Sequence, residues 1–242
     1  MASHHQTEKI DLIESPTLYV VEDDSGLYEQ YKRLAERLAL RLSLHASGKD
    51  LLALENYKRP CCLILELVVD NESGEDLQIE LTQRRATFPI VVNTRFVIVK
   101  SAVRVMECGA MTVLQKPSTA EQLEQHVRAG IALDEKQLEF DRMHRQVESI
   151  LETLSQRQRQ ILEHVVEGIP TKAIARKLGV SNRLVENERS EILKTFGASS
   201  TPDVTLRIGQ YRILDAIRVR IDSEHTGPFR PNPWRGGDCG PK

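Results

Sequence analysis

The sequence predicts two domains of different class. Residues 16–133 read as an α/β domain on a five-stranded, parallel, doubly wound sheet, and residues 154–217 as an all-α helix-turn-helix domain. Three observations predict this. In the first half, short apolar strand signals alternate with helical periodicity. The second half lacks strand signals and carries short helices around a glycine turn. The charge also changes sign: residues 17–134 hold 14 Lys+Arg against 17 Asp+Glu, net −3, and residues 151–220 hold 12 against 8, net +4. At 242 residues the chain has room for about two domains.

TLYVV (17–21) is the first strand, ending in Glu22, Asp23 and Asp24. Leu27, Tyr31, Leu34 and Leu38 follow at helical spacing. RLSLHA (41–46) is the second strand and residues 49–57 the next helix. CCLILEL (61–67) is the third strand and contains Glu66; Ser73-Gly74 then interrupts, before a helix marked by Leu77 and Leu81. PIVVN (89–93) is the fourth strand, followed by a helix with Val99, Val103 and Met106 that Gly109 closes. MTVLQ (111–115) is the fifth, Lys116-Pro117 breaks the chain, and Ser118 is placed as N-cap of a helix to about 132.

Residues 134–153 read as a linking helix, charged and free of Gly and Pro, with Leu138, Met143, Val147, Ile150 and Leu151. It fits a solvated spacer and a dimerising helix equally well. Ser155 caps a helix with Ile161, Leu162, Val165 and Val166 on one face and Gly168 as its stop. KAIARKL (172–178), the Gly179 turn and NRLVENERSEILKTF (182–196), capped by Ser181, form the helix-turn-helix. Thr201-Pro202 starts a fourth helix, in which Gly209 argues against one unbroken element. Residues 218–242, which hold the single tryptophan Trp234, read as a disordered tail.

Composition excludes some classes. With 40% hydrophobic and 28% charged residues, the chain reads as soluble and folded. No apolar run nears the roughly 20 residues of a membrane helix, and the N-terminus lacks the pattern of a secretory signal. A cytoplasmic protein without a membrane partner is expected. Cys61, Cys62, Cys108 and Cys239 have no zinc spacing; the first three read as core residues suited to a reducing cytosol.

A covered parallel sheet gathers its functional groups at the carboxyl ends of its strands. Those ends carry Glu22 and Asp23, Glu66, Thr94 and Lys116. Three carboxylates, a hydroxyl and an ammonium are thus expected on one rim.

This set, followed in order by the helix-turn-helix, resembles the two-component response regulators of the NarL/FixJ type over residues 16–210. The resemblance implies a flavodoxin-like receiver domain, a helical linker and a LuxR-type DNA-binding domain. It makes Glu22 and Asp23 the acidic pair that holds Mg²⁺, Thr94 the hydroxyl position, and Lys116 a lysine aimed inward by a cis bond to Pro117. The phosphoacceptor, an aspartate in the family, is here Glu66, with the Ser73-Gly74 turn in place. Three further departures stand beside it. Val69-Asp70 replaces the usual Met-Pro, Arg95 replaces a small residue, and Val113 or Leu114 replaces the fifth-strand aromatic.

Phosphoryl transfer depends on placement, and glutamate moves the carboxylate by roughly 1 Å, a misplacement that costs on the order of 100-fold. Glu66 therefore predicts poor or absent phosphorylation and a receiver resting in one state. Lys116 is placed to pair with it directly, as is Arg95. Mg²⁺ remains open as a cofactor: Glu22, Asp23 and Glu66 hold it, or Lys116 and Arg95 supply the charge balance instead. A sensor kinase, the usual partner of such receivers, is left open with it.

The LuxR-type pattern is carried by LSQRQRQIL (154–162) and TKAIARKLGVSNRLVENERSEILKTFG (171–197), through Leu154, Arg157, Leu162, Lys172, Ile174, Ala175, Leu178, Ser181, Val185 and Ile192. In the family the second helix of this motif enters the major groove of double-stranded DNA. The resemblance assigns contacts to Thr171, Lys172, Ser181, Asn182, Arg183, Glu186, Asn187, Ser190 and Lys194. Asn187 suits adenine and Arg183 suits phosphate. Against this stand Glu188 for a typical His, Leu184 for a typical Thr, and the repulsion of Glu186, Glu188 and Glu191 from phosphate. The plainer alternative makes Arg183, Arg189 and Lys194 a solvated helix face; binding as a homodimer offsets a weak single domain.

No nucleophile–base pair or metal-ligand motif stands outside the rim, so no enzyme is predicted. Two functions remain. One is a DNA-binding transcriptional regulator with a phosphorylation-independent receiver. The other is a protein-interaction module whose helix-turn-helix binds DNA weakly or not at all.

Overall fold

The structure, a computed structural model, describes residues 15–69, 72–84, 86 and 88–224. The chain divides after Glu135 into two compact units. The first contains, in chain order, β1 (Thr17–Val21), α1 (Tyr28–Arg37), β2 (Arg41–His45), α2 (Gly48–Leu52), β3 (Cys61–Leu65), β4 (Val68–Val69), β5 (Glu72–Ser73), α3 (Gly74–Gln83), β6 (Ile90–Thr94), α4 (Val99–Glu107), β7 (Thr112–Gln115) and the start of α5 (Ala120–Thr153). Five strands form one parallel sheet in the order β2-β1-β3-β6-β7, and β4 and β5 pair separately.

The three central strands are buried at every residue, which is why they read as near-continuous apolar runs. Alternate residues serve opposite faces. Tyr19, Val21, Leu63, Leu65 and Val92 pack with Leu51, Leu77, Leu81 and Val105 from α2, α3 and α4. Leu18, Val20, Cys62, Ile64 and Val91 pack with Tyr31, Leu34, Leu123 and Val127 from α1 and α5. Cys61 and Cys62 are core residues, and burial pushes both thiols well above their usual range. Cys108 is half-buried, and Cys239 lies outside the described residues.

Several element boundaries differ from expectation. The helix expected over 49–57 stops at Leu52, because Tyr57 is drawn edge-on into an aromatic group with Tyr19 and Phe88. The N-cap before α5 is Thr119, not Ser118: Thr119 accepts from the Gln122 N–H at 3.2 Å, and its own N–H donates to Gln122 Oε1 at 2.9 Å. The expected linker helix is the rear of α5, since no Gly or Pro interrupts residues 131–153. Its residue Asp134 is buried and tied to β3, accepting from the Arg59 guanidinium and from the Cys61 N–H at 2.8 Å.

The second unit holds the rest of α5 with α6 (Gln156–Val166), α7 (Thr171–Leu178), α8 (Asn182–Thr195) and α9 (Thr201–Glu224). Its core is Val147, Ile161, Leu162, Ile174, Val185, Ile192, Phe196, Val204 and Ile208. Ile150 and Leu151 pack against that core, so this part of the expected dimer seam is used within the chain itself. Helix α9 runs unbroken through Gly209 and includes residues 218–224, which were expected to be tail; no Gly or Pro stands between Gln210 and Thr226 to stop it. The rest of the expected tail lies outside the described residues, as does Asp70. Among the described residues no helix is long and apolar enough to cross a membrane.

Candidate functional site

The parallel register aligns the strand ends. Val21 is paired with Leu65, Leu65 with Val92, and Thr94 with Gln115. The ladder continues past the strands: the Glu22 N–H donates to the His45 carbonyl, the Glu66 N–H to the Val21 carbonyl and the Lys116 N–H to the Thr94 carbonyl. Glu22, Glu66, Thr94 and Lys116 are therefore positioned by backbone pairing and brought to one rim. The Lys116–Pro117 peptide is cis.

The rim is largely out of water: Glu22 is 2% exposed, Glu66 5% and Thr94 0%. Lys116 Nζ donates to Glu22 Oε2 at 2.5 Å and to Glu66 Oε2 at 2.8 Å. Glu22 Oε2 also accepts from the Tyr31 hydroxyl at 3.1 Å, and the Asn93 amide donates to that hydroxyl at 3.2 Å. Burial and the Glu22 carboxylate push the Tyr31 phenol far above its usual range, so it stays a donor. Glu66 Oε1 accepts the N–H groups of Leu67 at 2.7 Å and Val68 at 3.4 Å, and its Oε2 accepts the Arg95 N–H at 3.4 Å. Both oxygens of Glu66 are thus occupied by donors from its own chain.

Three expected placements change. Arg95 meets Glu66 through its backbone N–H, while its guanidinium pairs with Asp24. Asp23 is exposed where Glu22 and Glu66 are buried, and among the described residues no three His, Cys, Asp or Glu side chains gather for a metal, so Glu22, Asp23 and Glu66 do not form one ligand set. The hydroxyl of Thr94 accepts from the Phe96 N–H at 3.4 Å and makes no bond to Glu66. The residues for Mg²⁺ therefore do not fit that ion, because Lys116 stands between the two buried carboxylates.

Gly74 matters to this placement. A Cβ there would lie 2.7 Å from the Glu66 carbonyl oxygen and 2.9 Å from Leu67 Cα. Its N–H donates to the Leu67 carbonyl at 2.7 Å, and Ser73 caps α3 beside it by accepting from the Asp76 N–H. Only glycine lets α3 start so close to the backbone that carries Glu66.

In the second unit Gly179 takes φ +65° and turns α7 into α8, where Ser181 caps by accepting from the Leu184 N–H at 3.2 Å. Val185 and Ile192 face the core, while Asn182, Arg183, Glu186, Asn187, Ser190 and Lys194 are exposed. Thr171 and Lys172 open α7, with Lys172 exposed. Among the described residues Lys172, Arg183 and Asn187 make no side-chain bond that would withhold them from a ligand. Of the adverse glutamates, only Glu191 is paired with a cation among the described residues. Glu188 is half-buried, and Lys194 donates to Glu191 at 2.7 Å.

Arg189 is not part of the solvated face. Its guanidinium donates to Thr171 Oγ1 at 3.0 Å and to Thr201 Oγ1 at 3.1 Å, joining the first residues of α7 and α9 across α8. Nothing in the helical period foretells this, nor the roles of Tyr31 and Asp24. Asn93 did give a signal, as a lone amide in an apolar strand.

Residues 18–128 match the family of response regulator receiver domains, and residues 152–208 match the bacterial regulatory proteins of the luxR family. The chain is 30% identical over 188 residues to the transcriptional regulatory protein TdiR of Thauera aromatica, covering 78% of this chain and 83% of that protein. It is 31% identical over 191 residues to the transcriptional regulatory protein FixJ of Azorhizobium caulinodans, covering 79% and 90%. The fold is similar to the solved structure of the response regulator StyR, with a TM-score of 0.73 at 25% identity, over 81% of this chain and 100% of that one. Sheet order, rim and helix-turn-helix agree with these matches, and the chain belongs to the FixJ/NarL-type response regulators, with a receiver domain followed by a luxR-type helix-turn-helix.

Proposed function

We propose that this DNA-binding transcriptional response regulator works without phosphorylation of its receiver. One observation carries the reading: the Glu66 carboxylate is already bonded by Lys116 Nζ and by the N–H groups of Leu67, Val68 and Arg95. The donors around the acceptor position are spent on the acceptor side chain itself. Its carboxylate is held by those bonds, so attack on a phosphoryl group requires breaking a buried ion pair first. The Thr94 hydroxyl, turned to Phe96, takes no part in that grip.

In this reading α8 enters the major groove. Arg183 and Lys172 hold phosphates, Asn187 reads a base edge, and Asn182, Glu186, Ser190 and Lys194 line the same approach. Thr171 and Ser181 flank it; the Thr171 hydroxyl accepts from Arg189 and keeps its proton to donate to phosphate. A homodimer doubles the contact, and a sensor kinase is not needed for it.

The test is a selection from a random duplex library with unmodified full-length protein at fixed salt. Enrichment of a motif, unchanged by acetyl phosphate and without label on Glu66, is the expected result. Label on Glu66 defeats the phosphate-independent reading. Failure to enrich any motif favours the second reading, a protein-interaction module. The exposed apolar residues Phe96 and Val99, at 73% and 81%, speak for that alternative.

A further inference from the structure

We infer that Lys116, and not Mg²⁺, is the resident counter-charge of the buried carboxylates of this receiver. Glu22 and Glu66 are two carboxylates held almost entirely out of water, and burial of that kind demands a counter-charge. The Lys116 side chain, 7% exposed, supplies it by bridging Oε2 of both.

The remaining lone pairs are also directed at donors, not at a shared metal position. Glu22 Oε1 accepts the Asp24 N–H at 3.2 Å, and its Oε2 accepts the Tyr31 hydroxyl. Glu66 Oε1 accepts Leu67 and Val68, and its Oε2 accepts Arg95 as well as Lys116. Mg²⁺ needs oxygen ligands at about 2.0–2.1 Å in octahedral array. Binding it here requires expelling an ammonium and turning both carboxylates off their donors. At the outer rim the Arg95 guanidinium holds Asp24, so a second cation of the chain covers the next carboxylate. The lysine thereby ties the ends of β1, β3 and β7 together permanently, where a metal would tie them only when bound.

The experiment is a thermal scan of full-length protein stripped with EDTA, then given millimolar Mg²⁺ or NaCl of matched ionic strength. The midpoint of the α/β domain is expected to be the same in all three. Lys116→Met, which leaves Glu22 and Glu66 without their cation, melts several degrees lower and is raised by Mg²⁺ beyond the salt control. A saturable Mg²⁺ shift in the wild-type protein overturns the inference, as does a folded Lys116→Met protein that ignores Mg²⁺. If that variant does not fold, the wild-type titration decides alone. The inference rests on the receiver reading, and their failures differ. A Mg²⁺ shift without label on Glu66 sinks only the cation assignment; label without a Mg²⁺ shift sinks only phosphate independence.

Discussion

Lys116 Nζ lies 2.8 Å from Glu66 Oε2, with both side chains almost wholly removed from water. A buried pair of this kind adds little over an apolar pair, but breaking it strands a charge, at about 3–5 kcal/mol. In Glu66→Gln, Lys116 keeps its bond to Glu22. The expected loss is therefore at the low end, about 3 kcal/mol in the urea transition of the α/β domain. A loss below about 1 kcal/mol, the worth of an exposed pair, would show that the pair is solvated in solution.

Gly74→Ala separates two opposing effects. On helix propensity alone, alanine at the start of α3 gains up to about 1 kcal/mol. The added Cβ, however, meets backbone of Glu66 and Leu67 at under 3 Å, and backbone cannot swing aside. Steric strain wins, with an expected net loss of about 1–3 kcal/mol by thermal or urea unfolding. A variant as stable as wild type would mean that α3 does not start against β3.

Much of this was legible in the residues. Strands covered on both faces must be continuously apolar, so TLYVV and CCLIL were unmistakable, and the polar groups ending them marked the rim. The path of a side chain was not legible. Tyr31 counts as an apolar position in a helical period, and only the structure shows its hydroxyl on Glu22. Arg95 has a side chain that goes one way, to Asp24, and an N–H that goes the other, to Glu66. Arg189 sits one residue from positions that face solvent, and three-dimensional packing turns it onto Thr171 and Thr201. Helix lengths failed for a related reason: α5 and α9 continue because nothing stops them, and a stop is what a sequence displays best.

His45 sets a pH dependence. It ends β2, is buried, and its Nε2 lies 2.8 Å from Ser43 Oγ. Burial pushes its pKa below the usual imidazole value, against a smaller upward pull from Asp50. The unfolded chain then takes up a proton before the folded one does. This stabilisation is present in full above about pH 6.5 and is lost as pH falls from there through the lower folded value. His45→Gln is expected to flatten the fall in urea midpoint between about pH 7 and about pH 5. An unchanged profile in the variant would assign that fall to other groups.

The two kinds of arginine in the second unit predict different salt behaviour. Arg183 and Lys172 are exposed on the face read as contacting phosphate, whereas Arg189 spends its guanidinium on two threonines inside the domain. A phosphate contact releases counterions, so Arg183→Ala and Lys172→Ala should each weaken binding across sequences and lower the slope of log affinity against log salt by about 0.9. Arg189→Met removes the same charge but two internal hydrogen bonds from a charged donor, each worth about 1.5–3 kcal/mol to domain order. Affinity should fall about tenfold as α7 and α9 lose their tie across α8, with the salt slope unchanged. Fluorescence anisotropy on one duplex over a range of salt measures both quantities. A slope that drops for Arg189→Met as it does for Arg183→Ala would place Arg189 on the phosphate backbone and remove it from the framework.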